Sequence, residues 1–264
     1  MKTEPRDHTT LAAFIAVVLL GGLNGVGIRF VVHELPPFWG ATLRFLPAAL
    51  ILLLLSFVFR LRLPTGKSLL GAVFFGVLSF GAAFGLIFWG LQQVPAGMGQ
   101  VIGALGPLLT LIFAILHGQE TFRWRALFGS LVTVAGVAIV FTNQLRADIP
   151  FAYLLAILLA AFCSAEAGIL LKQYPISHPL PTSAVSQATG GVVLFLISLL
   201  VGEPHPLPQL PATWIALGYM ILLGSCVLFI LAFLCDQALE SFDQLLCLCA
   251  SALRHHRRLH LTRQ

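Results

Sequence analysis

The chain has 264 residues, of which 58% are hydrophobic and only 9% charged, and its mean hydropathy is +0.96. A soluble domain carries about 25% charged residues, so this much apolar surface needs lipid as its solvent, and no soluble domain is left over. The formal net charge is +5, but the basic residues do not cluster on one folded face, which argues against a nucleic-acid partner.

In chain order, Lys2 and Arg6 precede an apolar run from Leu11 to Val32. That start resembles a secretory signal, yet the run is long enough to span and shows no small-residue cleavage pattern, so it reads as a retained first helix. Within it, Asn24 lies among Gly21, Gly22, Gly25 and Gly27. Small residues there permit close helix approach and an amide can bond across helices, with pathway lining as the other role. Arg29, near the outer end, either extends its head to the interface or lines the pathway.

The second span is expected from Phe38 to Phe59 after Leu35-Pro36-Pro37, and it contains Arg44. A charge at this depth is costly and should face the bundle interior. Two readings stand: an anchor for an anionic or carboxylate-bearing substrate, or an arginine bonded to carbonyls of neighbouring helices. The third and fourth spans are expected at Ser68 to Leu91 and Ala96 to Leu116, separated by Val94-Pro95-Ala96-Gly97. Gln100 is placed on the pathway, and Pro107 breaks the helical ladder, which suits a kink or a cavity lining. Glu120 beside Arg123 and Arg125 reads as an interfacial ion pair.

The remaining spans are expected at Trp124 to Phe141, Phe151 to Leu171, Ser183 to Val201 and Trp214 to Leu234, giving eight in all. Glu166 is the one acid well inside a span. A buried carboxylate is a proton-coupling candidate, and the alternative is a residue reaching the headgroups or pairing with Lys172. None of the eight histidines falls in mid-span, and no catalytic constellation emerges. Cys247 and Cys249 with His255, His256 and His260 lack a standard zinc spacing, so neither a metal nor a cofactor is expected. Five cysteines form no disulfide framework.

With the N-terminus inside, Lys2, Arg6, Arg60, Arg62, Lys67, Arg123, Arg125 and Lys172 flank the inner ends, against Arg146 outside. Positive residues are retained in the cytoplasm, so the N-terminus is expected there. A shift of about 145 residues superposes Pro36 on Pro181, Leu78 on Leu223 and Phe84 on Phe229. Five spans separate the copies, so the second inserts upside down, as in many transporters.

These pieces resemble the EamA-type drug/metabolite transporters, built as two five-helix repeats. Gly22-Leu23-Asn24 is similar to the family's W-G-x-N with glycine in place of tryptophan, and Leu43-Arg44-Phe45 matches its L-R-F. Ala104 to Leu109 with Gly118-Gln119-Glu120 resembles its span-four proline and terminal G-E, Gly129 to Val140 its glycine-rich fifth span, and Leu223-Gly224-Ser225 its eighth. The resemblance implies an all-α helix bundle in a bacterial inner membrane. It implies carriage of small-molecule substrates, metabolites or drugs, often outward, by alternating access on a proton or substrate gradient. Residues 1–144 then form the first repeat, 145–234 a partial second one, and 235–264 a basic tail.

That tail, with Asp236, Glu240, Asp243 and Arg254-His255-His256-Arg257-Arg258, is too charged to make spans nine and ten. Back-translating Leu234 to His256 from the second codon base permits a peptide with the R-W, A-S, S-Y and proline of the family's ninth span. The stretch beyond about Phe233 is therefore read as a shifted frame, which leaves a non-functional truncated transporter as one alternative. A polytopic membrane enzyme is the other, and it needs a polar constellation that the sequence lacks.

Overall fold

The computed structural model describes residues 21–103, 105–119, 129, 132, 135–136, 139, 150–175 and 178–228. Among them the regular structure is all helical, joined by short loops, with no strand. Most of the expected fifth span, and the residues beyond 228 on which the frame reading rests, lie outside the described residues.

The helices follow the apolar runs. Residues 21–34 form α1, Pro37–Val58 α2, Lys67–Gly90 α3, Ala96–Leu116 α4, Phe151–Lys172 α5, Pro179–Val201 α6 and Pro211–Val227 α7. The five from α2 to α6 are each long and apolar enough to cross a membrane. Large apolar side chains such as Phe57, Leu200 and Ile215 project outward, as they do where lipid is the solvent.

The α6 helix begins four residues before the expected Ser183, because Pro179 and Pro181 fall in a first turn whose N–H groups have no intrahelical partner. The His178 ring supplies an acceptor for the Leu180 N–H. The helix ends on Gly202 in the left-handed conformation, φ 74°, with Glu203 N–H bonded to Ser198 O.

Two carboxylates tie helix starts to distant helix ends. Glu203 accepts from the Phe38 and Trp39 N–H groups (3.3 and 2.8 Å), satisfying orphan donors at the positive end of α2. Glu34, beyond the apolar run of α1, accepts from the Gln209 and Leu210 N–H groups that open α7. The Thr213 hydroxyl, then the Gln209 N–H, holds the Glu34 carboxyl below its ordinary value.

The core seam is the antiparallel pair α2 and α6. They cross closely at Leu46 and Gly191, where an added Cβ would lie 2.8 Å from the leucine Cδ2. The α3 helix packs on α6 through Gly76, Gly81 and Gly190, small residues that let backbones approach. Phe45, Phe80 and Phe88 fill the space beside them, all fully buried. Both α3 and α7 contain a π-helical segment, at Gly76–Ala83 and Leu222–Val227. A shift of 145 carries Leu46 onto Gly191 and the first π segment across the second.

Candidate functional site

Arg44 is completely buried at the junction of α2 with α7. Its Nε donates to Ser225 Oγ (2.9 Å), Nη2 to Gly224 O (3.0 Å) and Nη1 faces Met220 Sδ (3.8 Å). The guanidinium also rests on two aromatic faces, 4.7 Å from the Phe45 centroid and 4.9 Å from that of Phe84. The acceptors all belong to the π segment of α7 or the turn before it. Gln187, also fully buried, donates from Nε2 to Ser225 O on the same segment (3.1 Å). Of the two readings of Arg44, these contacts are those of an arginine holding neighbouring helices.

Beside this junction lies a cavity of about 260 Å³ between α1, α3, α4 and α5. Its walls are small or apolar: glycines 21, 25, 99, 103 and 106, several alanines, Ile28, Ile87 and Ile157. Its polar lining is Asn24, Gln100, Thr110 and Ser164, and no charged side chain lines it among the described residues. Phe84 belongs to both regions, for its ring carries Arg44 and also lines the cavity.

Asn24 is 8% exposed, and its Oδ1 has no hydrogen-bond partner among the described residues. A Cβ on Gly224 would fall 3.1 Å from that oxygen and 3.5 Å from Arg44 Nη2, so Asn24 stands between the junction and the cavity. The Gln100 amide lies against Gly25, where any side chain would displace it. A buried acceptor without a partner costs about 1–3 kcal/mol, and that of Asn24 lies on the side that faces Gly224 of α7.

The other expected residues have different places. Arg29 donates from Nη1 to the Leu91 and Gln92 carbonyls, the latter at 2.6 Å, so it caps the end of α3. The α4 helix breaks before Gly106 and Pro107 opens its second half, but the proline is exposed and the cavity is lined by its neighbours Gly106 and Thr110. Glu166 follows the cavity-lining Ala165 on α5 but does not itself line the cavity, and its Oε1 is 3.2 Å from His117 Nε2. Glu120, Arg123 and Arg125 lie outside the described residues.

Sequence reasoning missed His117, Gln187, Thr110 and Ser164. Gln187, an amide in the middle of an apolar span, carried a readable signal; the small hydroxyls of the other two look like packing residues in any helix.

Residues 8–142, half of the chain, match the EamA-like transporter family. The chain belongs to the EamA-like transporter family. It is therefore a polytopic membrane protein of a transporter family and not an enzyme. The "Uncharacterized inner membrane transporter YedA" of Escherichia coli (strain K12) is 29% identical over 217 residues, covering 81% of this chain and 70% of that protein. The "Uncharacterized transporter sll1164" of Synechocystis is 27% identical over 256 residues, 92% of this chain and 67% of that protein. A "Probable amino-acid metabolite efflux pump" of Salmonella typhimurium is 29% identical over 199 residues, 72% of this chain and 64% of the pump.

Proposed function

We propose that this EamA-like chain exports a small neutral or zwitterionic metabolite, of amino-acid size, from the bacterial cytoplasm through the cavity between α1, α3, α4 and α5. The observation that carries the reading is the cavity's chemistry: small and apolar walls and four neutral polar side chains. A net ionic substrate would find no counter-charge there among the described residues. Arg44 serves the scaffold from behind Phe84. The outward direction draws on the likeness to a relative named as an efflux pump.

Alternating access by two inverted halves completes the proposal. In its support, Leu46 touches the glycine to which the repeat shift carries it, and the two π segments correspond. Contact between equivalent positions is what a two-fold axis in the membrane plane produces. The N-terminus, with the loop containing Lys67, is cytoplasmic in this reading.

Transport of labelled neutral amino acids by inside-out vesicles from expressing cells tests the function. Accumulation that disappears in Asn24→Leu supports it, and accumulation indifferent to Asn24→Leu rejects the cavity. Labelling from outside at Lys67→Cys but not at Arg146→Cys would reverse the orientation.

A further inference from the structure

Arg44 carries its charge into a part of the bundle that offers it no acid. Among the described residues the acids are Glu34, Glu166 and Glu203. Glu34 is bonded to the start of α7, Glu203 to the start of α2, and Glu166 faces His117. Arg44 meets instead the Ser225 hydroxyl, the Gly224 carbonyl, a sulfur and two rings. Those partners are dipoles and quadrupoles, which lower the cost of burying the guanidinium but leave its unit charge uncancelled. A guanidinium also keeps its proton inside proteins, so deprotonation offers no relief.

Two observations bring that charge to the cavity wall. The guanidinium carbon is 4.9 Å from the centre of the Phe84 ring, and Phe84 lines the cavity. A Cβ on Gly224 would meet both Arg44 Nη2, at 3.5 Å, and the cavity-lining Asn24, at 3.1 Å. The cavity supplies nothing to offset the field, for its lining is neutral among the described residues and its walls are largely apolar. Away from water, screening by salt is weak, and a charge about 10 Å off is still felt.

From this arrangement we infer that Arg44 is a charge filter for the cavity: without touching the occupant, it excludes net cations and turns the carboxylate end of a zwitterion towards Phe84. The inference rests on the cavity being the transport path, as proposed above. The role is one of specificity, added to the joining of α2 to α7. It is not that of an anchor, because Arg44 is fully buried and does not itself line the cavity. An ammonium laid on Phe84 would ordinarily gain from the negative face of the ring. Here the ring already carries a guanidinium, so a second cation beside it meets repulsion. A diamine or a basic amino acid is refused, and a neutral amino acid enters in one orientation.

The test reads the field without requiring transport. In the full chain in lipid nanodiscs, with the native cysteines replaced by serine, Ser164→Cys puts a thiol on the cavity wall. It is modified by two methanethiosulfonates of like size, one bearing a sulfonate and the other a trimethylammonium, and each rate is divided by that of a free thiol. The corrected anion-to-cation ratio should be about tenfold with Arg44 present and approach one in Arg44→Met, which keeps much of the length and loses the charge. Arg44→Lys should hold the ratio even as stability falls, which a merely structural role does not predict. Where Arg44→Met fails to insert, Ser225→Asp is read in its place, since it sets a carboxylate against Arg44 Nε and cancels the charge without removing the arginine. A ratio at or below one with Arg44 present, or a ratio that survives loss of the charge by either substitution, overturns the filter. Modification is read without substrate, so a chain that carries nothing leaves the result standing, and carriage of neutral amino acids beside a ratio indifferent to Arg44 overturns the filter alone.

Discussion

The Arg44 junction and the neighbouring cavity are both polar places inside an apolar bundle, and they share Phe84, yet they are built in opposite ways. At the junction a full charge is sunk out of reach of water and met by a hydroxyl, a carbonyl, a sulfur and two ring faces. In the cavity the polar side chains are neutral and few, set among glycines, alanines and other apolar residues. The strength of a polar group in sequence therefore says little about its role. What separates the two places is charge: the guanidinium at the junction is met on all sides by the protein, whereas the cavity lining is neutral among the described residues.

Arg44→Ala should break this comparison most forcefully. It removes the bonds between α2 and α7 and leaves a large void, at about 2–4 kcal/mol, seen as a lower unfolding midpoint in detergent. Arg44→Lys should recover only part, since an ammonium lacks the planar fork that reaches Ser225 and Gly224 together. A stable Arg44→Ala chain with altered transport would move Arg44 to the cavity side.

Glycines sharpen the contrast. A Cβ on Gly190 would lie 2.8 Å from Gly76 O and closer still to Phe80 Cβ, so Gly190→Ala should cost about 1–3 kcal/mol. A Cβ on Gly103 meets nothing within 4 Å, so Gly103→Leu should leave stability within about 0.5 kcal/mol while filling the cavity and stopping carriage. Paired unfolding and vesicle measurements check both. Asn24→Ala should raise the substrate KM about tenfold, about 1.4 kcal/mol, with little change in the unfolding midpoint.

The smallest effect is at the rim, where Glu34 ties α1 to α7. Its proton is held more weakly in the folded chain, so the tie is present above the ordinary carboxylate range and is lost as pH falls through the lowered folded value. The midpoint gap between the native chain and Glu34→Gln should close on acidification. A gap that widens would remove Glu34 from the tie.

The spans were legible because lipid imposes length and helicity together: α4 keeps its expected ends, and α2 begins one residue early. The cavity was half legible. Asn24 and Gln100 announced themselves as amides in apolar helices, but which wall each polar residue faces depends on helix rotation, and a π segment shifts that rotation without any mark in the hydrophobic pattern. Arg29 and Glu166 were visible as charges, while their partners are fixed by packing: the end of α3 lies 62 residues from Arg29, and His117 is 49 positions before Glu166.

The corresponding π segments also bear on the protein's ancestry. A π segment is an α-helix that has accepted one extra residue. If the two halves descend from one duplicated gene, an insertion found at the same place in both is older than the duplication, for one event accounts for what would otherwise need two. Each half then inherits the same widened turn. In one copy it abuts α6 through Gly76 and Gly81, and in the other it offers Gly224 O and Ser225 to Arg44. On such a descent, one ancestral insertion would have become a packing surface in one half and an arginine receptor in the other.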